Sequence, residues 1–286
     1  MGVVGLVELK KRIKSIESTS KLTKAMSLVA TSKLKKVRRV LALNDEYSKA
    51  YKEVIDEVKC SFPKENKYSL FNNSQKKLVL VIASDMGMCG TYNNSILEKI
   101  KDMVKDKQEE YSFLVLGERG KRLIKRHGFE VMEYEEKMGD VPEAYSIDNV
   151  FDFISEKFLS GSYQEVIILY TYFKNTISRE VKSIKLFPVE IDEQITETVK
   201  KDEFDIEGDG EGLIDIIVPS YCKSILYNCL LNSKASEHSV RMETMNSANS
   251  NAEELIADLK MKYNRIRQGA ITQEISEIVG GVDAQG

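Results

Sequence analysis

The stretch ASEHSVRMETMNSANSNAEELIADLKMKYNRIRQGA, Ala235 to Ala270, carries an unbroken repeat: Ala235, His238, Met242, Met245, Asn249, Ala252, Ile256, Leu259, Tyr263, Ile266 and Ala270 fall alternately three and four residues apart. That spacing lays one narrow stripe along a helix, the pattern of a coiled-coil seam rather than of a helix on a globular surface. At 1.5 Å rise per residue the stretch is on the order of 50 Å long, more than the core of one compact domain covers. A second helix must lie along it. Most seam positions are small, polar or flexible rather than Leu and Ile, so the pairing is serviceable without being maximally stable. His238, a lone polar residue on the seam, reads as a register-setting position and not as a ligand.

The other end of the chain supplies the partner. From about Val4 to Lys59 there is no Pro and Gly5 is the only Gly, while apolar residues recur at Leu6, Leu9, Ile13, Ile16 and again at Leu22, Met26, Val29, Ala30, Leu34, Val37 and Leu41. This is one long helix with a phase slip, a step of six from Ile16 to Leu22 across Ser18-Thr19-Ser20. Cys60-Ser61-Phe62-Pro63 signals its end. Pro219 stands one position before a run without Gly or Pro that lasts to Gly269, which suits Pro in the first turn of a helix. The C-terminal helix is expected from about Ser220 to Val279, closed by Gly280-Gly281. Two long helices from opposite chain ends, with a compact insert between them, pair only antiparallel, so the expected form is a rod on a knob.

The insert has another style. Lys77 to Ser84 (KLVLVIAS) reads as a buried strand, Tyr92 to Asp106 as a helix, Tyr111 to Gly117 as a strand and Glu118 to His127 as a helix closed by Gly128. A third strand near Phe129 to Tyr134, a helix from Ile147 to Leu159, and strands at Glu165 to Phe173 and Arg179 to Ile191 complete a Rossmann-like α/β pattern. The fold class is therefore α/β, with a long antiparallel coiled coil formed by the two ends. The divisions are an N-terminal helix over 1–60, the α/β domain over 76–191, an acidic connector over 192–218 and the C-terminal helix over 219–286.

A chain of 286 residues, 42% hydrophobic and 30% charged, buries a sizeable core. Its longest apolar runs, Leu78 to Ala83 and Val166 to Tyr170, are too short to cross a bilayer, and Val7-Glu8-Leu9-Lys10-Lys11 lacks the apolar core of a signal peptide. The expected compartment is the cytoplasm. Charge is unevenly placed: eleven basic residues between Glu8 and Arg39 face only Glu8 and Glu17, a net of +9, whereas Asp192 to Asp215 holds ten acidic residues against Lys200 and Lys201. The basic helix face contains no aromatic residue between Lys10 and Arg39, so base stacking is excluded and an acidic protein surface is the better target. It also lacks a Trp or Phe anchor for a membrane surface.

Chemistry-bearing patterns are sparse. Cys60, Cys89, Cys222 and Cys229 form no Cys-x-x-Cys, and His127 and His238 are the only histidines, so neither a zinc site nor a disulfide framework is indicated. Cys222 and Cys229, seven apart, read as small buried apolar groups on one helix face. The loop Ser84-Asp85-Met86-Gly87-Met88-Cys89-Gly90-Thr91-Tyr92-Asn93 lies where a nucleotide-binding α/β protein puts its phosphate loop. Its Gly87-x-x-Gly90 spacing fits neither G-x-G-x-x-G nor G-x-x-x-x-G-K-[ST], and no Lys follows. The loop reads as a tight strand-to-helix turn capped by Ser84 and Asp85, with Cys89 structural. No cofactor is expected.

Across its whole length the sequence resembles the gamma subunit of the F-type ATP synthase. The resemblance is carried by Leu9-Lys10-Lys11-Arg12-Ile13-Lys14-Ser15-Ile16 with Thr19, Lys21-Leu22-Thr23-Lys24-Ala25-Met26 and Val29-Ala30-Thr31-Ser32-Lys33-Leu34 at the start. In the middle it rests on Ser84-Asp85-x-Gly87-x-Cys89-Gly90-x-Tyr92-Asn93. Toward the end it rests on Ser236-Glu237-His238, Arg241-Met242, Met245, Asn251-Ala252, Tyr263-Asn264-Arg265-Ile266-Arg267-Gln268, Ile271-Thr272-Gln273-Glu274-Ile275 and Glu277-Ile278-Val279. Met86, Met88, Thr91, Asn249 and Gly269 depart from the family's commoner residues.

The resemblance implies the rotor shaft of a rotary motor. Its paired terminal helices would sit inside a ring of alternating alpha and beta subunits, with the knob on the epsilon subunit and the membrane ring of c subunits, at the cytoplasmic face of the plasma membrane. It further implies that Met26, Arg241, Arg267, Gln268, Thr272 and Glu274 contact the beta subunits, and that bond chemistry belongs to the partner subunits. Two other readings compete: a homodimeric coiled-coil scaffold with a ligand-binding α/β domain, and an α/β enzyme using the Gly87 to Asn93 loop.

Overall fold

The computed structural model describes residues 2–58, 67–69, 74–105, 107–189 and 210–283. The elements run α1 (Gly2–Val58), β1 (Lys77–Ile82), α2 (Tyr92–Val104), β2 (Tyr111–Leu116), α3 (Glu118–Arg126), α4 (Asp148–Leu159), β3 (Glu165–Phe173), β4 (Arg179–Phe187) and α5 (Gly210–Asp283). Contacts divide them into two compact units, residues 1–30 with 241–286, and residues 31–240.

The first unit is a helical pair. Lys260 Nζ lies 2.8 Å from the Glu17 carboxylate, Ser20 Oγ donates to Asn249 Oδ1 at 2.9 Å, and Ser27 Oγ donates to Asn246 Oδ1 at 2.5 Å. As the residue number rises on α1 it falls on α5, so the pair is antiparallel and closes within one chain. The seam needs no second copy of the molecule.

On α1 the covered stripe is Ile13, Thr23, Ser27 and Ala30, with Ile16 and Ser20 half-buried, an unbroken alternation of threes and fours. The expected phase slip across Ser18 to Ser20 is absent. Polar residues continue the seam where apolar ones stop, because Ser20 and Ser27 hydrogen-bond across it and are small enough for close approach. Leu22, Leu28 and Val29 are left 61%, 66% and 52% exposed. On α5, Met245, Ala252 and Leu259 are buried, and Asn249, Ile256 and Tyr263 half-buried. Extending this register, the start of α1 falls opposite roughly residues 270–275 of α5, so the last turns of α5 outrun their partner. There Ile271, Ile275 and Ile278 are 47%, 57% and 67% exposed.

The second unit is built on a four-stranded sheet of order β2-β1-β3-β4, with β1 parallel to β2 and β3, and β4 antiparallel to β3. The continuous apolar run of β1 is explained by burial on both faces. Val79 and Val81 pack with Tyr92, Ile96 and Ile100 of α2 and Ile124 of α3, while Leu78, Leu80 and Ile82 on the opposite face are at most 1% exposed. Stacking of Phe158 on Phe187, with ring centroids 4.9 Å apart, ties α4 to β4. On α1, Leu34, Val37, Leu41 and Asn44 are buried in this unit.

Several expectations need correction. The strand expected near Phe129 to Tyr134 is a single parallel bridge, Val131 to Phe113. Its side chains serve helices instead of a ladder: Glu133 pairs with Lys121 and Lys125 of α3, and the Tyr134 ring lies 5.0 Å from that of Phe153 in α4. Helix α5 begins at Gly210, before Pro219, so residues 210–218 of the expected acidic connector are helical and the rest of it lies outside the described residues. Asp215 suits the positive N-terminal end of a helix, and Ile214 and Val218 are buried at 2% and 3% exposure, which outweighs the stop signal of Pro219. Gly280-Gly281 does not end the helix, which continues to Asp283. The expected end of the first helix at Cys60 to Pro63 lies outside the described residues. Helix α5 also contains a window apolar enough by length and composition to span a membrane, mean hydropathy 1.2, but 56% of it is buried, as in a core helix.

Candidate interaction surfaces

The helical pair places five of the six residues of interest on its surface. Met26 is half-buried and Arg267, Gln268, Thr272 and Glu274 are exposed. Thr272 Oγ1 donates to the Gln268 carbonyl at 2.9 Å, an i to i−4 bond within the helix. Arg241 differs. It is 4% exposed and belongs to the packing of the chain, so it offers no open surface. Two residues not singled out by the sequence join Met26: Leu22 and Val29 stand four before and three after it, and with it make an outward apolar stripe on α1. Its signal in the sequence is the 22, 26, 29 spacing, which is equally that of a seam.

In the second unit the loop after β1 is locked by its own side chains. Ser84 N donates to Asn93 Oδ1 at 3.1 Å, Asn93 Nδ2 donates to Ser84 Oγ at 2.6 Å, and Ser84 Oγ donates to the Met86 carbonyl at 2.9 Å. Cys89 is 3% exposed with its sulfur 3.6 Å from Ser84 Oγ. Ser84 and Asp85 do cap a helix, but it is α3 and not α2. Arg119 N and Gly120 N donate to the Ser84 carbonyl at 3.0 and 3.2 Å, and Glu118 N donates to Asp85 Oδ1 at 3.4 Å. That close approach requires Gly117 and Gly120: a Cβ on Gly117, whose φ is +109°, would lie 2.4 Å from the Ala83 carbonyl oxygen, and one on Gly120 would lie 2.2 Å from Ala83 Cβ.

Strand order reverses direction at β1, so the ends of β1 and β3 flank the crevice where α/β proteins of this topology bind nucleotides. Here α5 fills it. Thr171 N, near the end of β3, donates to Ser233 Oγ at 3.1 Å, Ser236 Oγ donates to the Thr171 carbonyl at 3.2 Å, and Tyr92 OH donates to the Ser233 carbonyl at 3.2 Å. Lys234 lies beside them, its side chain 3% exposed, with Nζ 3.2 Å from Asp85 and 3.5 Å from Glu237. Burial alone would push the Lys234 ammonium down, but the carboxylates of Glu237 and Asp85 outweigh it and hold its pKa above the ordinary lysine value. His238, 1% exposed, pairs through Nε2 with the Asp140 carbonyl at 2.8 Å. It belongs to the core of this unit rather than to the seam of the helical pair. Cys222 and Cys229 are 1% exposed, and burial pushes both thiols up, out of the reactive range.

A family model described as ATP synthase matches residues 5–284. The ATP synthase gamma chain of Clostridium beijerinckii is 41% identical over 287 residues, covering all of both chains, and that of Clostridium perfringens is 40% identical over 286. The chain belongs to the ATP synthase gamma-chain family. Among solved structures, the central stalk and c-ring of the Tetrahymena thermophila mitochondrial ATP synthase gives a TM-score of 0.56 at 25% identity, covering 79% of this chain and 99% of that one. A chain of the Euglena gracilis mitochondrial ATP synthase gives 0.67 at 13% identity, covering 98% and 94%, a likeness of fold. As a gamma-chain family member, the protein keeps a Rossmann-like sheet whose nucleotide crevice is packed with its own C-terminal helix.

Proposed function

We infer that this chain is the central-stalk rotor subunit of an ATP synthase, transmitting torque between an ion-driven membrane ring and a catalytic ring of alpha and beta subunits. The observation that carries the reading is the helical pair: a polar, hydrogen-bonded seam inside and an apolar stripe of Leu22, Met26 and Val29 left outside. Such a surface calls for a partner that encloses it. The proposed partner is the ring of alpha and beta subunits, with Met26, Arg241, Arg267, Gln268, Thr272 and Glu274 as the proposed contacts to the beta subunits. Arg241 differs from the others in that set by being only 4% exposed in the chain.

An asymmetric pair of helices inside a three-fold ring cannot meet three catalytic sites alike, so each orientation favours a different conformation at each site. Turning the shaft then reorders site occupancy, and changing occupancy turns the shaft. The basic face of α1 would look toward acidic loops of the ring, where exposed, screened charges guide orientation without locking it. Epsilon and the c-ring would hold the second unit. The chain is part of the peripheral catalytic head, and we place that head at the cytoplasmic face of the plasma membrane. ATP is bound and cleaved by the partner subunits.

A single-molecule experiment tests this. With the catalytic ring fixed and a bead on the second unit of this chain, ATP should drive sustained rotation in one direction with three stops per turn. A stationary bead during continued hydrolysis would sink the reading.

A further inference from the structure

The loop after β1 has no lysine behind it in the sequence, yet the fold brings three guanidiniums to it. Gly87, Asn94 in the first turn of α2, and Arg119, Arg122 and Arg126 of α3 line one cavity of about 230 Å³, with Leu123 as an apolar wall and no carboxylate among the lining residues. The three arginines stand three and four positions apart, so they share one face of α3. The other basic residues of that helix, Lys121 and Lys125, are both engaged by Glu133.

This face works against the helix that carries it. Arg119 lies in the first turn of α3, where a cation opposes the helix dipole. Arg119 with Arg122, and Arg122 with Arg126, are like-charge neighbours on one helix surface, an unfavourable arrangement in both cases. Glu118 answers only Arg122, at 2.7 Å between exposed side chains, and Arg119 and Arg126 have no ion-pair partner among the described residues. Gly87 is as little required by the fold. Its φ lies outside the left-handed region, and a Cβ there would meet only Arg119 Nε, at 3.9 Å. The missing side chain keeps the space beside that guanidinium open.

We propose that this cavity binds a phosphate group, as the free ion or as the end of a small phosphomonoester. A carboxylate offers two oxygens in one plane, which a single arginine fork satisfies. A tetrahedral oxyanion offers oxygens in several directions, which matches several guanidiniums around one space. The start of α2 acts in the same sense: Thr91 makes no side-chain cap and the first turn holds no acidic residue, so the positive end of that helix is not neutralised. Volume sets the size of the ligand. Pockets for drug-sized molecules run about 300–1,000 Å³, so the space suits a phosphate group and not a whole nucleotide. None of the residues with which α5 fills the crevice lines this cavity, and the site does not depend on the rotor reading.

Calorimetric titration of the full chain with inorganic phosphate, at constant ionic strength in a chloride buffer, should show one saturable site, and acetate should show none. Arg119→Gln should weaken phosphate binding by roughly tenfold or more, the loss of a charge-assisted hydrogen bond. Gly87→Leu, which fills the cavity and leaves every charge in place, should abolish it. Arg119→Gln changes only an exposed side chain, so it decides the matter if Gly87→Leu melts below the native chain. Lys174→Gln removes an exposed cation elsewhere and should titrate as native. Glycerol 3-phosphate separates the two sources: saturation like that of phosphate assigns the site to a phosphomonoester end, and saturation by phosphate alone assigns it to the free ion. No saturable phosphate binding, equal binding of acetate, or native affinity in Arg119→Gln overturns the proposal, as does native affinity in a Gly87→Leu chain of native stability.

Discussion

Ser27 of α1 and Asn246 of α5 meet across the helical pair at 2.5 Å, side chain to side chain, where an ordinary coiled coil would set two aliphatic groups. Ser27 is buried while Asn246 stays exposed, so the bond specifies register more than it stabilises. A double-mutant cycle with Ser27→Ala and Asn246→Ala should give a coupling energy of about 0.5–1.5 kcal/mol in chemical denaturation. Each single change should cost no more than that, since water can serve the exposed Asn246. Strict additivity would show that the two side chains do not interact.

The same pair marks the limit of sequence reading. The seam of α5 was legible from Met245 onward because its residues keep the 3,4 spacing whatever their polarity, but the same spacing ran on through Ala235 and His238, which belong to the core of the second unit. The seam of α1 was not, because its apolar residues jump from Ile16 to Leu22 while the structure follows Ser20, Thr23 and Ser27. Only a tertiary partner shows that a serine belongs inside. The strand KLVLVI was legible from composition. Asp85 as a cap for α3 was not, since nothing local links it to Glu118, thirty-three residues on. The filling of the crevice by Ser233 and Lys234 was equally hidden, being a contact between distant parts of the chain.

Lys234 is the most exacting charge in the second unit. Lys234→Met would leave Glu237 buried and Asp85 about a third exposed without their cation, a loss of about 3–5 kcal/mol, nearer the lower value because Asp85 meets solvent. Lys234→Arg should recover part of it. Its folded pKa is raised, so its stabilisation is complete below the ordinary lysine pKa of about 10.4 and is lost as pH rises through the folded value. The stability gap between the native chain and Lys234→Met should therefore be constant near neutrality and narrow in alkali. A gap independent of pH up to the alkaline unfolding limit would contradict this ion network.

Gly120→Ala and Gly269→Ala should move stability in opposite directions. At Gly120 the new methyl would lie 2.2 Å from Ala83 Cβ, so α3 must shift away from the end of β1, at a cost of about 1–3 kcal/mol. At Gly269 nothing lies within 4 Å, and the residue sits inside a continuous helix, so alanine should add about 0.5–1 kcal/mol to that helix. Hydrogen exchange of amides near Gln268 is the better measure for the second change, because the gain is local. Faster exchange there in Gly269→Ala would show that the helix is strained rather than soft at this point.

Glu133 reports on the segment that failed to become a strand. Hydrogen bonds from Lys125 and then Lys121, with their charges, hold its carboxyl down at about 2. A depressed carboxylate stabilises the fold above its unfolded pKa and loses that contribution as pH falls through the folded value. The Glu133 signal in an NMR titration should move only near pH 2, and Lys125→Met should raise its midpoint toward that of a free glutamate. A midpoint near 4.3 in the native chain would mean that the two lysines do not hold it in solution.

Met26 is where the rotor reading is most exposed to failure. It stands half-buried between Leu22 and Val29 on the outward stripe, where a bearing needs weak, even contact with three surrounding faces. Met26→Lys would put an ammonium on that stripe. Opposite an acidic loop it would add a grip of about 0.2–1 kcal/mol if exposed, more if covered, and would favour whichever orientation makes the pair. Hydrolysis would continue, but rotation would be less tightly tied to it, so ions moved per ATP hydrolysed should fall in vesicles carrying the complex. Met26→Leu, which keeps the apolar contact, should leave the ratio near native. An unchanged ratio in Met26→Lys would mean that this face of α1 does not bear on the ring.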